Sequence, residues 1–183
     1  MTVSTRWECK YVSTKVFLVV YDPKWPDLYE REKNNVLQAA GEYIIEIKHV
    51  GSTSVPNLSA KPIIDMMAGV RDKSTATTVL DILQSHGYGF SDPKQDDWHY
   101  VMSRKDVEED MGYHLHLITH GSWDWERHLL FRDYLRVNVS SREEYEILKM
   151  KLADKYRDDR PTYTASKSNF IRRIQRNSLT EKG

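Results

Sequence analysis

A chain of 183 residues suits a single domain and can bury about 70% of its unfolded surface without disulfide staples. Its 27 basic and 27 acidic residues cancel, so no general cationic excess argues for nucleic-acid binding, and the one cysteine, Cys9, excludes an internal disulfide and fits a reducing compartment. The longest apolar run, Val16–Tyr21, is far short of the ~18 residues of a membrane span, and no signal layout opens the chain, so a cytoplasmic protein without a membrane partner is expected.

Residues 1–15 are polar and aperiodic, and a loose lead-in is expected there. Val16–Tyr21 reads as a β segment stopped by Pro23 and Pro26. A helix is predicted over Asp27–Ala40, with Gly41 as its stop. Ile44–Val50 reads as a strand with Ile45, Ile47 and His49 on one face, and Ile63–Val70 as a nearly continuous apolar strand covered on both sides. Ser74–His86 reads as a helix capped by Ser74 and closed by Gly87. Trp98–Arg104 and Tyr113–Thr119 form a predicted strand pair around an acidic connection.

From Ser122 the periodicity turns helical, with predicted helices over Ser122–Val137, Ser141–Tyr156 and Thr164–Arg176. The second opens on Ser141-Arg-Glu-Glu144, a capping-box pattern. The fold class expected is α/β (α+β): a core over residues 16–120 built on a mixed β-sheet with flanking helices, then a helical C-terminal half over 121–177 packed on it. Residues 178–183 are expected to be a disordered tail.

Two features invite chemistry. Gly51-Ser-Thr-Ser54 follows a strand where a turn must begin; glycine lets an anion approach the backbone, and successive N–H groups with the hydroxyls of Ser52, Thr53 and Ser54 can donate to phosphate oxygens. The alternative is a turn that satisfies only its own backbone. Asp65 sits inside an apolar strand on the face of Ile63 and Met67, a costly position unless the carboxylate is paired, hydrogen-bonded or bound to a cation. A salt bridge with Lys61 or an arginine of the C-terminal helices is the structural alternative.

Histidines and cations complete the candidates. His114 and His116 alternate out of one strand face, with His120 farther along. If that strand lies beside Asp65, the three residues can form a carboxylate–imidazole metal site that His49 could join; otherwise they are a solvated face or histidines beside a pocket. Lys167 lies on the apolar face of its helix near Phe170 and Ile171, and Arg132 between Leu129 and Leu135. Both side chains either snorkel over the core or meet an anion in a cleft.

Tyr21-Asp-Pro-Lys-Trp-Pro26, His49-Val-Gly-Ser-Thr-Ser-Val-Pro56, Lys61-Pro-Ile-Ile-Asp65, His114-Leu-His116, Phe131-Arg-Asp-Tyr-Leu-Arg136 and Tyr163-Thr-Ala-Ser-Lys167 occur in that order. Over residues 16–177 the chain resembles the GrpB family of the nucleotidyltransferase superfamily, whose fold is that of polymerase-beta-like enzymes. The resemblance implies that Gly51 and Ser52 match the phosphate-holding turn and that Asp65 matches the first catalytic, metal-binding acid. It also favours anion contacts for Lys61, Arg132, Arg136 and Lys167. A nucleotide or other phosphorylated small molecule is the implied partner, with Mg or Mn, or Zn given the histidines, as the implied cofactor. The superfamily's second acid, two residues on, is here Met67, which cannot ligate hard Mg²⁺. Two accounts follow: a metal-dependent nucleotidyltransferase, or a module that binds a nucleotide or CoA-like ligand without catalysis.

Overall fold

Five strands form one sheet in the order β1-β2-β5-β4-β3. They are β1 (Glu46–Val50), β2 (Ile63–Val70), β3 (Gly89–Ser91), β4 (Tyr100–Asp106) and β5 (Met111–Thr119). β2 and β5 run parallel and the other pairs antiparallel, which makes the sheet mixed, as expected. The computed structural model describes residues 15–91 and 99–181. The expected lead-in other than Lys15, Cys9 within it, the strand start at Trp98 and the last two residues of the expected tail lie outside the described residues.

β2 is flanked on both edges and covered on both faces, which explains its apolar run: Ile64, Met66, Ala68 and Val70 are fully buried. Those residues join Ile47, Tyr113, Leu115 and Leu117 in the main core, beneath α1 (Trp25–Ala40) and α2 (Lys73–Ser85). α1 begins two residues earlier than predicted, because Pro26 falls in the first turn, where its missing N–H costs nothing. α2 is capped by Asp72 rather than Ser74: the Asp72 carboxylate accepts from the Thr75 N–H at 2.8 Å.

The expected strand Val16–Tyr21 is not one. Val19 makes a single bridge to Ala60, Phe17 and Val20 are 49% and 80% exposed, and the Val16 N–H donates to the Arg157 carbonyl at 2.7 Å. An apolar run beside two prolines straps across the molecule instead of entering the sheet. β3 is only three residues long and left no periodic signal.

The opposite sheet face is covered by α3 (Trp123–Val137), behind which stand α4 (Val139–Lys155), α5 (Arg160–Ser166) and α6 (Ser168–Thr180). Ser122, where the predicted helix begins, caps α3, and α4 is capped by Asn138, not Ser141: the Asn138 Oδ1 accepts from the Ser141 N–H at 2.9 Å. The single helix expected over Thr164–Arg176 is two helices that meet at Lys167, and the second reaches Thr180 with Ser178 buried, so residues 178–180 are helix rather than tail. Tyr134, Leu135, Tyr145, Phe170 and Ile174 close around Val55 and Leu58, fastening this layer to the segment between β1 and β2.

Candidate functional site

The turn after β1 rests on one glycine. Gly51 adopts φ 70°, ψ −172°, a region that glycine alone occupies readily, and a Cβ on it would fall on the carboxylate of Asp65. The following 3-10 turn, Ser52–Ser54, uses two of its hydroxyls internally. Ser54 Oγ donates to the Gly51 carbonyl at 2.6 Å, and Thr53 Oγ1 donates to the Ile63 carbonyl at 3.3 Å while lying 3.0 Å from His49 Nε2. Gly51, Ser52 and Thr53 line a cavity of about 340 Å³; Ser54, expected to face a ligand, does not.

Asp65 opens on the same cavity, its side chain 30% exposed. The parallel register sets Asp65 opposite His114 and Met67 opposite His116, so the two imidazoles project beside the carboxylate. His114 Nδ1 lies 3.0 Å and His116 Nε2 4.0 Å from Asp65 Oδ1, and one ligand atom from each of the three residues falls within 4.8 Å of the others. Burial opposes ionisation of Asp65, yet the hydrogen bond from His114 and the nearby imidazole of His116 hold it well below the usual carboxylate range. Among the described residues its ion-pair partners are these imidazoles, not Lys61 or an arginine.

His99 orients the pair from behind: its Nε2 lies 2.8 Å from His116 Nδ1, which leaves His116 Nε2 directed at Asp65. Burial lowers His99 to about 3 and His128 to about 4, so both are neutral at physiological pH. The carboxylate and two imidazoles suit Mn or Zn better than Mg, and Asp65, His114 and His116 are the residues that would hold such an ion.

Two expectations are corrected here. His49 lies on the other face of the sheet, stacked 4.7 Å from the Tyr29 ring and lowered to about 4 by burial, and it does not join the site. His120 lies apart, 3.5 Å from the Glu46 carboxylate. Arg132 and Arg136 do not line the cavity; they donate to the carbonyls of His49 and Ser54, each at 3.0 Å, and so brace the turn from outside. Met67, at the second-acid position, is fully buried against Val50, Ile118 and Trp125 under α3.

The cavity walls are cationic. Lys61 and Lys167 lie over the Tyr163 ring, 5.8 and 4.3 Å from its centroid, and both are lowered to about 8, chiefly by burial and then by a neighbouring cation. Arg160 reaches within 3.4 Å of His114 Nε2. Buried Lys149 donates to the Ser59 carbonyl and is lowered to about 7 by burial. Lys149, Arg160, His128 and Tyr163 were absent from the residues predicted to form the site. Lys149 gave one signal, four residues after Tyr145 and beside Leu148 on an apolar face.

The profile of the GrpB family, described as GrpB protein, matches residues 15–177. A UPF0157 protein of Halalkalibacterium halodurans is 36% identical over 171 residues, covering 92% of this chain and 85% of the relative. A dephospho-CoA kinase of Mycobacterium bovis is 30% identical over 155 residues, but the chain covers only 38% of its length. Among solved structures, the conserved protein GrpB from Enterococcus faecalis superposes with a TM-score of 0.79 at 30% identity, over 91% of this chain and 99% of that one. Cid1 in complex with its short product ApU superposes with a TM-score of 0.51 at 11% identity, over 72% of this chain and 42% of that one, which shows a shared nucleotidyltransferase-like fold.

Proposed function

The chain belongs to the GrpB family, and from that premise we propose that its cleft binds the phosphates of a nucleotide around one divalent metal and transfers a nucleotidyl group. One observation carries the reading: Asp65, His114 and His116 converge beside a glycine turn, in a cavity walled by Lys61, Lys167 and Arg160. The fold shared with Cid1, a poly(U) polymerase solved with Mg and 3'-dATP, supports it.

In this reading the turn at Gly51 and Ser52 seats phosphate oxygens, and Lys61 and Lys167 neutralise the departing pyrophosphate. An acceptor hydroxyl oxygen bonds to the α-phosphorus as the bond to pyrophosphate breaks, and its proton passes to Asp65 Oδ2, the oxygen beside Gly51. A divalent ion at Asp65, His114 and His116 would polarise a phosphoryl oxygen. The buried Met67 favours one ion over two, and it supports a second reading in which the cleft binds without catalysis. The partial match to a dephospho-CoA kinase adds CoA derivatives to the ligands worth testing.

The test is thermal stability of wild type and Asp65→Ala with nucleotides, CoA derivatives, Mn²⁺, Zn²⁺ and Mg²⁺. A triphosphate at 100 times its Kd should stabilise wild type by about 2.7 kcal/mol, only with metal, and the variant not at all. Stabilisation without metal, unchanged in Asp65→Ala, would leave the binding-only reading. No stabilisation by any ligand would reject both.

A further inference from the structure

Lys167, Ile171 and Gln175 all line the cleft, and their spacing of four residues makes them one stripe along α6. Eight residues of helix put Gln175 about 12 Å beyond Lys167 along the axis. The cleft therefore has a cationic end, where Lys167 and Lys61 lie over Tyr163, and a second end between α6 and α3. From α3, Arg127, His128 and Phe131 line the same cavity. The guanidinium of Arg127 is held by the Asp124 carboxylate, one turn back on its own helix.

At this second end two side chains are fixed as hydrogen-bond acceptors. Buried Gln175 donates from Nε2 to the Arg127 carbonyl at 3.1 Å, so its amide orientation is set and Oε1 is the end left over. His128 Nδ1 lies 2.6 Å from the Asp124 carbonyl oxygen, which can only accept, so the ring proton sits on Nδ1. Burial keeps the ring neutral, which leaves a lone pair on Nε2 at the opposite edge. Among the described residues, neither Gln175 Oε1 nor His128 Nε2 takes a hydrogen bond. Ile171 and Phe131, one turn from each acceptor, add apolar surface beside them.

We propose that His128 and Gln175 select a nucleobase that carries an exocyclic amino group, as adenine and cytosine do, over one that presents a carbonyl oxygen there. The inference rests on the nucleotide reading of the cleft and narrows it to a class of base. The stripe on α6 then spans the ligand, from phosphates at Lys167 to the edge of the base at Gln175, with Ile171 against its middle. An amino group brings two hydrogens to two acceptors. A carbonyl oxygen would meet two lone pairs and leave both acceptors unpaired away from water.

The experiment titrates ATP, ITP, CTP and UTP, each with Mn²⁺, into the full chain by calorimetry, in wild type, His128→Phe and Gln175→Met. ITP and UTP carry a carbonyl where ATP and CTP carry the amine. Wild type should bind ATP about tenfold or more tighter than ITP, and CTP tighter than UTP by a similar factor, the effect of acceptors left buried and unpaired. Each variant should bring both ratios toward one while nearly keeping ITP affinity, which also shows that it has folded. Should one variant lose all four nucleotides, the other variant and the wild-type ratios decide. Equal affinities for ATP and ITP in wild type overturn the selection and leave the cleft as a triphosphate site. A preference that survives in both variants overturns the role of these two residues. If no triphosphate binds wild type, the nucleotide reading fails and this inference falls with it.

Discussion

The two faces of β2 and β5 are built from alternate residues of the same strands and have opposite characters. Ile64, Met66, Leu115 and Leu117 are sealed beneath α1 and α2, while Asp65, His114 and His116 open on a cavity beneath the C-terminal helices. A period of two lets one stretch of chain serve cohesion and chemistry together, because each face is solvated by different neighbours. The division is not perfect: Met67 lies on the chemical face yet belongs to an apolar cluster with Val50, Ile118 and Trp125. The site therefore ends abruptly along the strand, between a carboxylate and a thioether two residues apart.

The sharpest way to break the contrast is to restore the missing acid. Met67→Asp should destabilise the fold by ~3–5 kcal/mol, because the new carboxylate would be buried without a partner, and urea unfolding would read it directly. A variant as stable as wild type that gains Mg²⁺ affinity would show that the chemical face continues to residue 67.

A smaller effect is expected at the turn. Gly51→Ala should cost on the order of 1–3 kcal/mol in backbone strain and also displace Asp65, so Mn²⁺ or Zn²⁺ uptake should fall with stability. Gly87→Ala is the control: φ is +85° there too, but open space surrounds it, so metal uptake should stay unchanged. Equal metal uptake in both variants would separate the turn from the site.

The smallest effect is in pH dependence. Lys61 and Lys167 lose their protons near pH 8 in the free protein, and an anion favours their charged forms. Binding should therefore take up protons above about pH 8 and weaken as the pH rises through it. Calorimetry of phosphate binding in two buffers of different ionisation enthalpy measures that uptake, and a pH-independent affinity would place the anion away from these amines.

Much of this contrast was legible in the sequence. The lone acid in an apolar strand and the His-x-His alternation named the face, because side-chain direction along a strand is fixed by the backbone. Their adjacency was not legible: nothing local dictates that β5 should lie parallel to β2 rather than elsewhere in the sheet. His49 shows the converse limit: its face, shared with Ile47, was legible, but not that this face is the one packed against Tyr29 of α1, away from the cavity. Arg132 and Arg136 were expected to meet an anion in the cleft; the bare turn carbonyls they satisfy instead become visible only in three dimensions. Lys149 was hidden for the same reason.

Those carbonyl contacts bear on how anything enters or leaves. Arg132, Arg136 and Lys149 each hold an oxygen between residues 49 and 59, and Glu146 accepts from the Ser59 N–H at 3.0 Å. Swinging the helical layer away would break all four stitches in one movement and strand buried polar atoms on both sides. Exchange with the cleft is therefore expected to leave the helical layer in place, with the fold held shut along that side.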